Sequence, residues 1–306
     1  MSNYLPTLRQ LQYLVALHDH GHFGRAADAC FVTQSTLSAA LRELETLLGA
    51  IMVERTRRVI RFTPLGLRVV DKARQVLREA EELADLASAE RTPLTGDLRL
   101  GVIPTIAPFL LPTLLPKLRA EFPGLKLYLR EETSQAACDG LRRGQLDCVL
   151  LATPYHCGDV EEAALFTDEL MVAVPAGEAT GESIAPDDIA AGRLLLLEDG
   201  HCLKDHVLSA CNRPDLRSSA MMLGTSLHTL VQMVDNDLGV TLVPRMAVEA
   251  GLLDGTGVRV RPLAADHASR TIALVWRRGS ARSAEFQLLA DALRRNANRA
   301  EQRQAA

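Results

Sequence analysis

FGRAADACFVTQSTLSAALRELETLLG, residues 23–49, reads as a short alanine-rich helix, a turn at Phe31-Val32, and a longer helix that starts after Thr33 and stops at Gly49. Thr33 suits an N-cap because its hydroxyl accepts an otherwise orphaned first-turn N–H, and Gly49 suits the left-handed stop beyond a last turn. Leu37, Ala40, Leu41, Leu44, Leu47 and Leu48 recur at helical spacing as one apolar stripe. Gln34, Ser35, Thr36, Ser38 and Arg42 gather at the start and on the polar face. The arrangement is a helix-turn-helix with a polar head whose groups can bond base edges and phosphates.

The flanks complete it. Upstream, LRQLQYLVALHDHG is an amphipathic helix stopped at Gly21, and His18, His20 and His22 bracket its end, where they cap or solvate it. Downstream, IMVERTRRVIRFTPLG reads as two short strands around a basic tip carrying Arg55, Arg57, Arg58 and Arg61, the wing of a winged helix. Residues 1–64 carry seven arginines against five acids, so this segment is +2 and the remainder −6. A small basic module on an acidic body fits nucleic-acid contact at one end.

From Pro64 through residue 89 there is no other proline and little to break a helix, and small or apolar residues at Val69 or Val70, Ala73, Val76 or Leu77, Ala80, Leu83 or Ala84 and Ala87 repeat every three or four positions. A long helix of this kind pairs with a copy of itself, so dimerisation is expected here. RTPLTGD, residues 91–97, is the expected hinge. Beyond it, LRLGVIP, a helix from about Pro108 to Phe122, LKLYLRE, a helix from Ser134 to Arg143, and LDCVLLA form a βαβαβ unit with a parallel sheet. A second α/β run follows from about Leu165, with strands near LMVAVPA, RLLLLED, SSAMMLG and GVTLVP, and RTIALVWR returns to the sheet. The organisation expected is therefore a winged helix-turn-helix over residues 1–63, a linker helix over 64–90, a hinge over 91–97, a two-lobed α/β domain resembling a periplasmic-binding-protein clamshell over 98–298, and a polar, frayed tail over 299–306.

Composition agrees with several globular units, because 306 residues at 47% hydrophobic and 24% charged can bury more than one core. No run of eighteen apolar residues appears, and MSNYLPTLRQ has neither a basic n-region nor an apolar h-region, so a soluble, cytoplasmic chain with no membrane partner is expected. Phosphate-binding glycine loops, H-E-x-x-H pairs and G-x-S-x-G elbows are absent, which removes the sequence handle for the common enzymatic mechanisms. Neither a cofactor nor a metal is called for. Cys30, Cys138, Cys148 and Cys157 lack C-x-x-C spacing and read as small core or surface residues.

The remaining signal is LLLLEDGHCLKDHVLSAC, residues 194–211. A buried strand runs into the Glu198-Asp199-Gly200 turn, which starts a helix at His201 and places Cys202 in its first turn, where free N–H groups favour an anion. His201 and Lys204 stand close enough in sequence to add positive charge, so a thiolate is one reading and a buried, inert cysteine, the commoner state, is the other.

Residues 23–49 followed by the ERT-RR-I-FTPLG pattern resemble the DNA-binding domain of LysR-type transcription regulators along its whole length. EDGHCLKD, with a second cysteine nine residues after the first, is similar to the redox signature of the hydrogen-peroxide-sensing members of that family, and the combined resemblance runs over nearly the entire chain. It implies that Cys202 is the peroxide-reactive cysteine and Cys211 the partner that closes a disulfide. It also places Thr105, in IPTIAPFLLP, at the peroxide pocket, with Thr133, His201, Asp205 and Arg270 lining or supporting it. For Thr133, Asp205 and Arg270, ordinary strand-end hydrogen bonding stays open. Cys138 and Cys157 depart from the pattern as extra thiols able to compete in oxidation. The resemblance implies a homo-oligomeric activator, dimer or tetramer, that is not an enzyme and whose partners are double-stranded promoter DNA, hydrogen peroxide and RNA polymerase. The alternative is a relative that senses a small metabolite between the lobes, where Thr225 and Ser226 would cap a helix facing the cleft.

Overall fold

The structure, a computed structural model, describes residues 5–55, 60–88, 93–178, 181–213, 215–216, 223–265 and 267–304. The chain divides into two compact units, residues 1–90 and 91–306.

In the first unit, α1 (Leu8–His20), α2 (Phe23–Ala29) and α3 (Gln34–Leu48) pack around Leu14, Leu17, Ala26, Leu37, Leu41 and Leu44. β1 (Val53–Arg55) pairs antiparallel with β2 (Ile60–Phe62) as a wing. Arg57 and Arg58 lie outside the described residues. Each helix end has a local cause. Thr7 and Gln10 form a reciprocal capping box on α1, and Gly21 closes that helix at φ 58. The His22 ring accepts the Gly24 and Arg25 amides at the start of α2.

The wing is tied back to α3 because Glu45 Oε1 accepts from both Met52 and Val53 amides. α4 (Pro64–Ser88) starts where the Thr63 hydroxyl accepts the Gly66 amide. Its stripe divides: Val70 and Ala73 are buried within the helix-turn-helix core region, whereas Val76 and Leu83 are exposed, Leu83 at 70%. The first turns thus pack inward, and Arg74 is buried on Asp19 beside His18.

In the second unit, β3 (Gly96–Val102) pairs in parallel with both β4 (Leu125–Glu131) and β5 (Cys148–Thr153), joined by α5 (Ala107–Glu121) and α6 (Ser134–Arg142). That is the parallel βαβαβ unit. β6 (Val160–Val174) is one 15-residue strand, begun earlier than its apolar run at Leu165 announces, and β11 (Ser269–Arg277) lies antiparallel between it and β5. Past Glu169 the same β6 pairs with β9 (Thr241–Pro244) and β10 (Arg259–Pro262) and so passes into a second lobe. There β7 (Leu196–Leu197) and β8 (Leu223–Gly224) make a short parallel pair, next to α7 (Cys202–Ala210), α8 (Leu227–Asp235) and α9 (Arg245–Glu249). Most of SSAMMLG lies outside the described residues.

Each lobe has its own core, one around Leu98, Leu150, Leu274 and Phe286, the other around Val172, Leu196, Val207 and Leu242. α10 (Ser283–Gln304) packs Phe286, Leu289 and Leu293 into the first. It runs as helix through Gln304.

Candidate functional site

On α3, Gln34, Ser35, Thr36 and Arg42 are exposed and Ser38 is half-buried, while Leu37, Leu41 and Leu44 face the core. Thr33 is the N-cap: its hydroxyl accepts the Thr36 amide and also bonds the Ser35 and Thr36 hydroxyls at 2.9 and 2.8 Å. The polar head is therefore pre-arranged by its own cap. Arg55 falls at the last position of β1, immediately before the undescribed wing tip.

The second site forms where β6 crosses from one lobe to the other. Arg270 stands opposite Asp168 in the β11–β6 register, and its side chain is fully buried. Nε donates to Asp168 Oδ2 at 3.0 Å, Nη1 to the Thr105 hydroxyl at 2.8 Å, and Nη2 to the Thr105 carbonyl at 3.0 Å. Asp168 also accepts the Met246 amide, which brings in α9. A buried guanidinium persists only with its donors filled, and here Asp168 of β6 and Thr105 of the β3–α5 turn fill them.

α7 brings Cys202 into this setting. Gly200 makes the entry turn at φ +91, a left-handed conformation that residues with side chains rarely adopt. Cys202 is buried in the first lobe's core, and its amide donates to the Ser134 hydroxyl at 3.1 Å. Burial pushes its thiol up, opposed by the Arg270 charge and by hydrogen bonds from Ser134 and the Ala152 backbone. Two expectations need correction. His201 supplies no cation, because burial pushes its imidazole down. Nor is Lys204 directed to the thiol, since its ammonium is paired with Asp199 at 2.6 Å. The positive charge that acts on Cys202 comes from Arg270.

Thr133 is the N-cap of α6, with its hydroxyl accepting the Ala136 amide. Asp205 is half-buried in the first turn of α7. Ser134, Asp168 and His206 went unread in the sequence. His206 Nε2 donates to the Pro154 carbonyl at 3.0 Å, its Nδ1 is buried with no hydrogen-bond partner among the described residues, and burial pushes the imidazole down. Cys211 caps the far end of α7 in the second lobe's core, where burial pushes its thiol up to about 11. Cys202 and Cys211 are both free thiols. A further correction concerns Cys138 and Cys157, read as unpaired: they form a disulfide with Cα atoms 5.1 Å apart. Nineteen residues separate them, and only the fold of α6 against the β5–β6 connection brings them together.

Residues 8–67 match the family model described as bacterial regulatory helix-turn-helix protein, lysR family, and residues 91–298 match the LysR substrate binding domain. The chain belongs to the LysR family. This LysR-family chain is 41% identical over 292 residues to the HTH-type transcriptional regulator EstR of Acinetobacter baylyi, covering 95% of this chain and 97% of that protein. It is 40% identical over 289 residues to a hydrogen peroxide-inducible genes activator of Pectobacterium carotovorum, covering 94% and 95%. Among solved structures, a full-length OxyR variant from Pseudomonas aeruginosa is similar at a TM-score of 0.79 and 36% identity, over 95% of this chain and 96% of that one. These relatives are transcription regulators, and their family binds DNA through the helix-turn-helix. Among the described residues no helix is long and apolar enough to cross a membrane.

Proposed function

We propose that this LysR-family regulator is a cytoplasmic, peroxide-responsive transcription activator whose switch is α7. The observation that carries the reading is Cys202 at the N-terminus of α7, with its amide held by Ser134 and its thiol in the field of the buried Arg270. The thiolate attacks one oxygen of hydrogen peroxide, the O–O bond breaks, and the departing hydroxide takes a proton to leave as water, giving a sulfenic acid. Arg270 and Thr105 orient the oxidant, with Thr133, His201 and Asp205 shaping the surroundings. Cys211 then attacks the sulfenic sulfur, forming the disulfide and releasing a second water.

That second step demands a conformational change. Nine helical residues rise about 13.5 Å, whereas a disulfide needs Cα atoms within about 7 Å. The two thiols are also buried in different cores, so α7 must unwind for them to meet. The exposed part of α4, with Val76 and Leu83, is the seam for a homo-oligomer that presents paired heads to promoter DNA and engages RNA polymerase. Arg57 and Arg58 of the wing tip supply phosphate contacts in this reading. Thiol trapping with mass mapping, before and after sub-stoichiometric peroxide, tests the sensor: label is lost first at Cys202 and then at Cys211. Unchanged labelling at both would turn the reading toward the metabolite-sensing alternative. Sedimentation of the Leu83→Glu protein tests the seam, with loss of dimers expected.

A further inference from the structure

The sensor reading leaves Cys138 and Cys157 without a role, yet their bond sits at a particular place. Disulfides are rare in reducing compartments, where those found are mostly redox-sensing or catalytic. This one lines an open cleft of about 120 Å³ whose rim includes Arg142, Tyr155 and His156; both cysteines are buried at its floor, so the cleft is the approach a small thiol would use. The cleft adjoins the sensor, because Tyr155 on its wall packs against the core that holds Cys202.

Its two ends are anchored on the two supports of α7. Cys138 lies on α6 about one turn beyond Ser134, which holds the Cys202 amide, and beyond Gln135, whose amide donates to the Gly200 carbonyl at 3.1 Å. Cys157 lies three residues beyond Pro154, whose carbonyl accepts from His206 on the second turn of α7. A bond between Cys138 and Cys157 therefore ties together the two pieces of chain on which the reactive half of α7 is seated. Fixing them to each other removes conformational freedom that would otherwise be lost when the helix docks, so the docked helix is favoured.

We infer that Cys138–Cys157 is a second redox site, exchanging with small dithiols and disulfides, and that its state sets how readily α7 opens. The inference rests on the proposed role of α7 for its meaning, but its chemistry is separate. A thiolate of the reductant attacks one sulfur of the pair, the Cys138–Cys157 bond breaks, and the released sulfur takes a proton. The second thiol of the reductant then attacks its own sulfur in the mixed disulfide and frees the other cysteine, so two electrons pass to the protein and the reductant leaves as a disulfide. The reverse exchange with oxidised glutathione restores the bond and releases two reduced glutathiones. A reducing cell thus leaves α7 loosely held and ready to open, and a rising disulfide poise latches it.

The full-length protein is equilibrated in glutathione buffers of graded ratio without peroxide, desalted, and pulsed with N-ethylmaleimide, and the label is mapped by mass. Cys211 is buried at the end of α7, so its labelling rate reports opening of that helix whether or not Cys202 reacts with peroxide. The expected result is that Cys138 and Cys157 convert together from labelled to bonded as the buffer becomes oxidising, and that Cys211 labels several-fold faster in the dithiol form. Cys157→Ser should label at the fast rate at every ratio. Thiols that stay free at all ratios, or Cys211 rates that are equal in the two forms or faster in the bonded one, overturn the inference. Failure of the peroxide reading shows instead as an unreactive Cys202 in the trapping experiment, with these rates unaffected.

Discussion

Helix α3 and helix α7 each carry the residues on which one activity depends, and they are held in opposite ways. α3 has 15 residues, a Thr33 cap whose hydroxyl serves an amide and two neighbouring hydroxyls, a left-handed Gly49 at its end, and one buried stripe beneath an exposed polar face. α7 has nine residues, and its N-cap, His201, makes no side-chain capping bond. Helices that short are marginal in isolation. What keeps α7 wound is borrowed: the Ser134 hydroxyl on the Cys202 amide, the Pro154 carbonyl on His206, and burial of Leu203, Val207 and Leu208. A helix that holds itself makes a dependable reading head, whereas one held by its neighbours can be released when a covalent bond competes with them.

The largest expected effects fall on α7 and its setting. Cys202→Ser abolishes both sulfenic acid and disulfide, while Cys211→Ser keeps the sulfenic acid and loses the lock; dimedone labelling and mass mapping distinguish them. Arg270→Met leaves Asp168 as a buried, uncompensated charge and should cost about 3–5 kcal/mol in denaturant unfolding. The double change Arg270→Met with Asp168→Leu should recover much of that, and equal losses in the single and double variants would break the account of the cluster.

Smaller effects sharpen the contrast between the helices. Alanine at Arg42, or at Ser35 and Thr36 together, should weaken specific operator binding by about 1–3 kcal/mol per base contact without altering the melting temperature. Ser134→Ala orphans a buried amide of α7 at about 1–3 kcal/mol, with amide exchange rising in α7, whereas Thr33→Ala costs only about 1 kcal/mol and leaves α3 wound on its packed stripe. The smallest effect is that of pH. Burial lowers both His201 and His206 below their unfolded values of about 6.5. The unfolded chain binds more protons, so their contribution is fully present above about pH 6.5 and is lost as pH falls toward the lowered folded values. Protection of the α7 amides, corrected for the intrinsic exchange rate, should therefore fall as pH drops below about 6.5, and less so in His206→Gln.

The same contrast explains what was legible in the sequence. Thr33, Gly49 and the leucine stripe act within one or two helical turns, so the pattern along the chain exposes them. The α7 segment was recognisable by its motif, but its electrostatics were not. His201 and Lys204 are Cys202's neighbours in sequence, yet the acting cation is Arg270, which the return strand β11 delivers. Arg270 meets Asp168 across 102 residues and Ser134 meets Cys202 across 68, and no spacing rule reaches that far. The pairing of Cys138 with Cys157 escaped the sequence for a related reason, since nothing local marks a helix and a later loop as neighbours.

α7 cannot stay wound once Cys202 and Cys211 are joined. Amide hydrogen exchange across residues 200–213, on protein whose Cys202–Cys211 bond has been confirmed by mass mapping, tests it directly. The account predicts that protection of the amides of residues 204–210 is lost after peroxide treatment and returns on reduction. A mapped Cys202–Cys211 bond with α7 protection unchanged would contradict it.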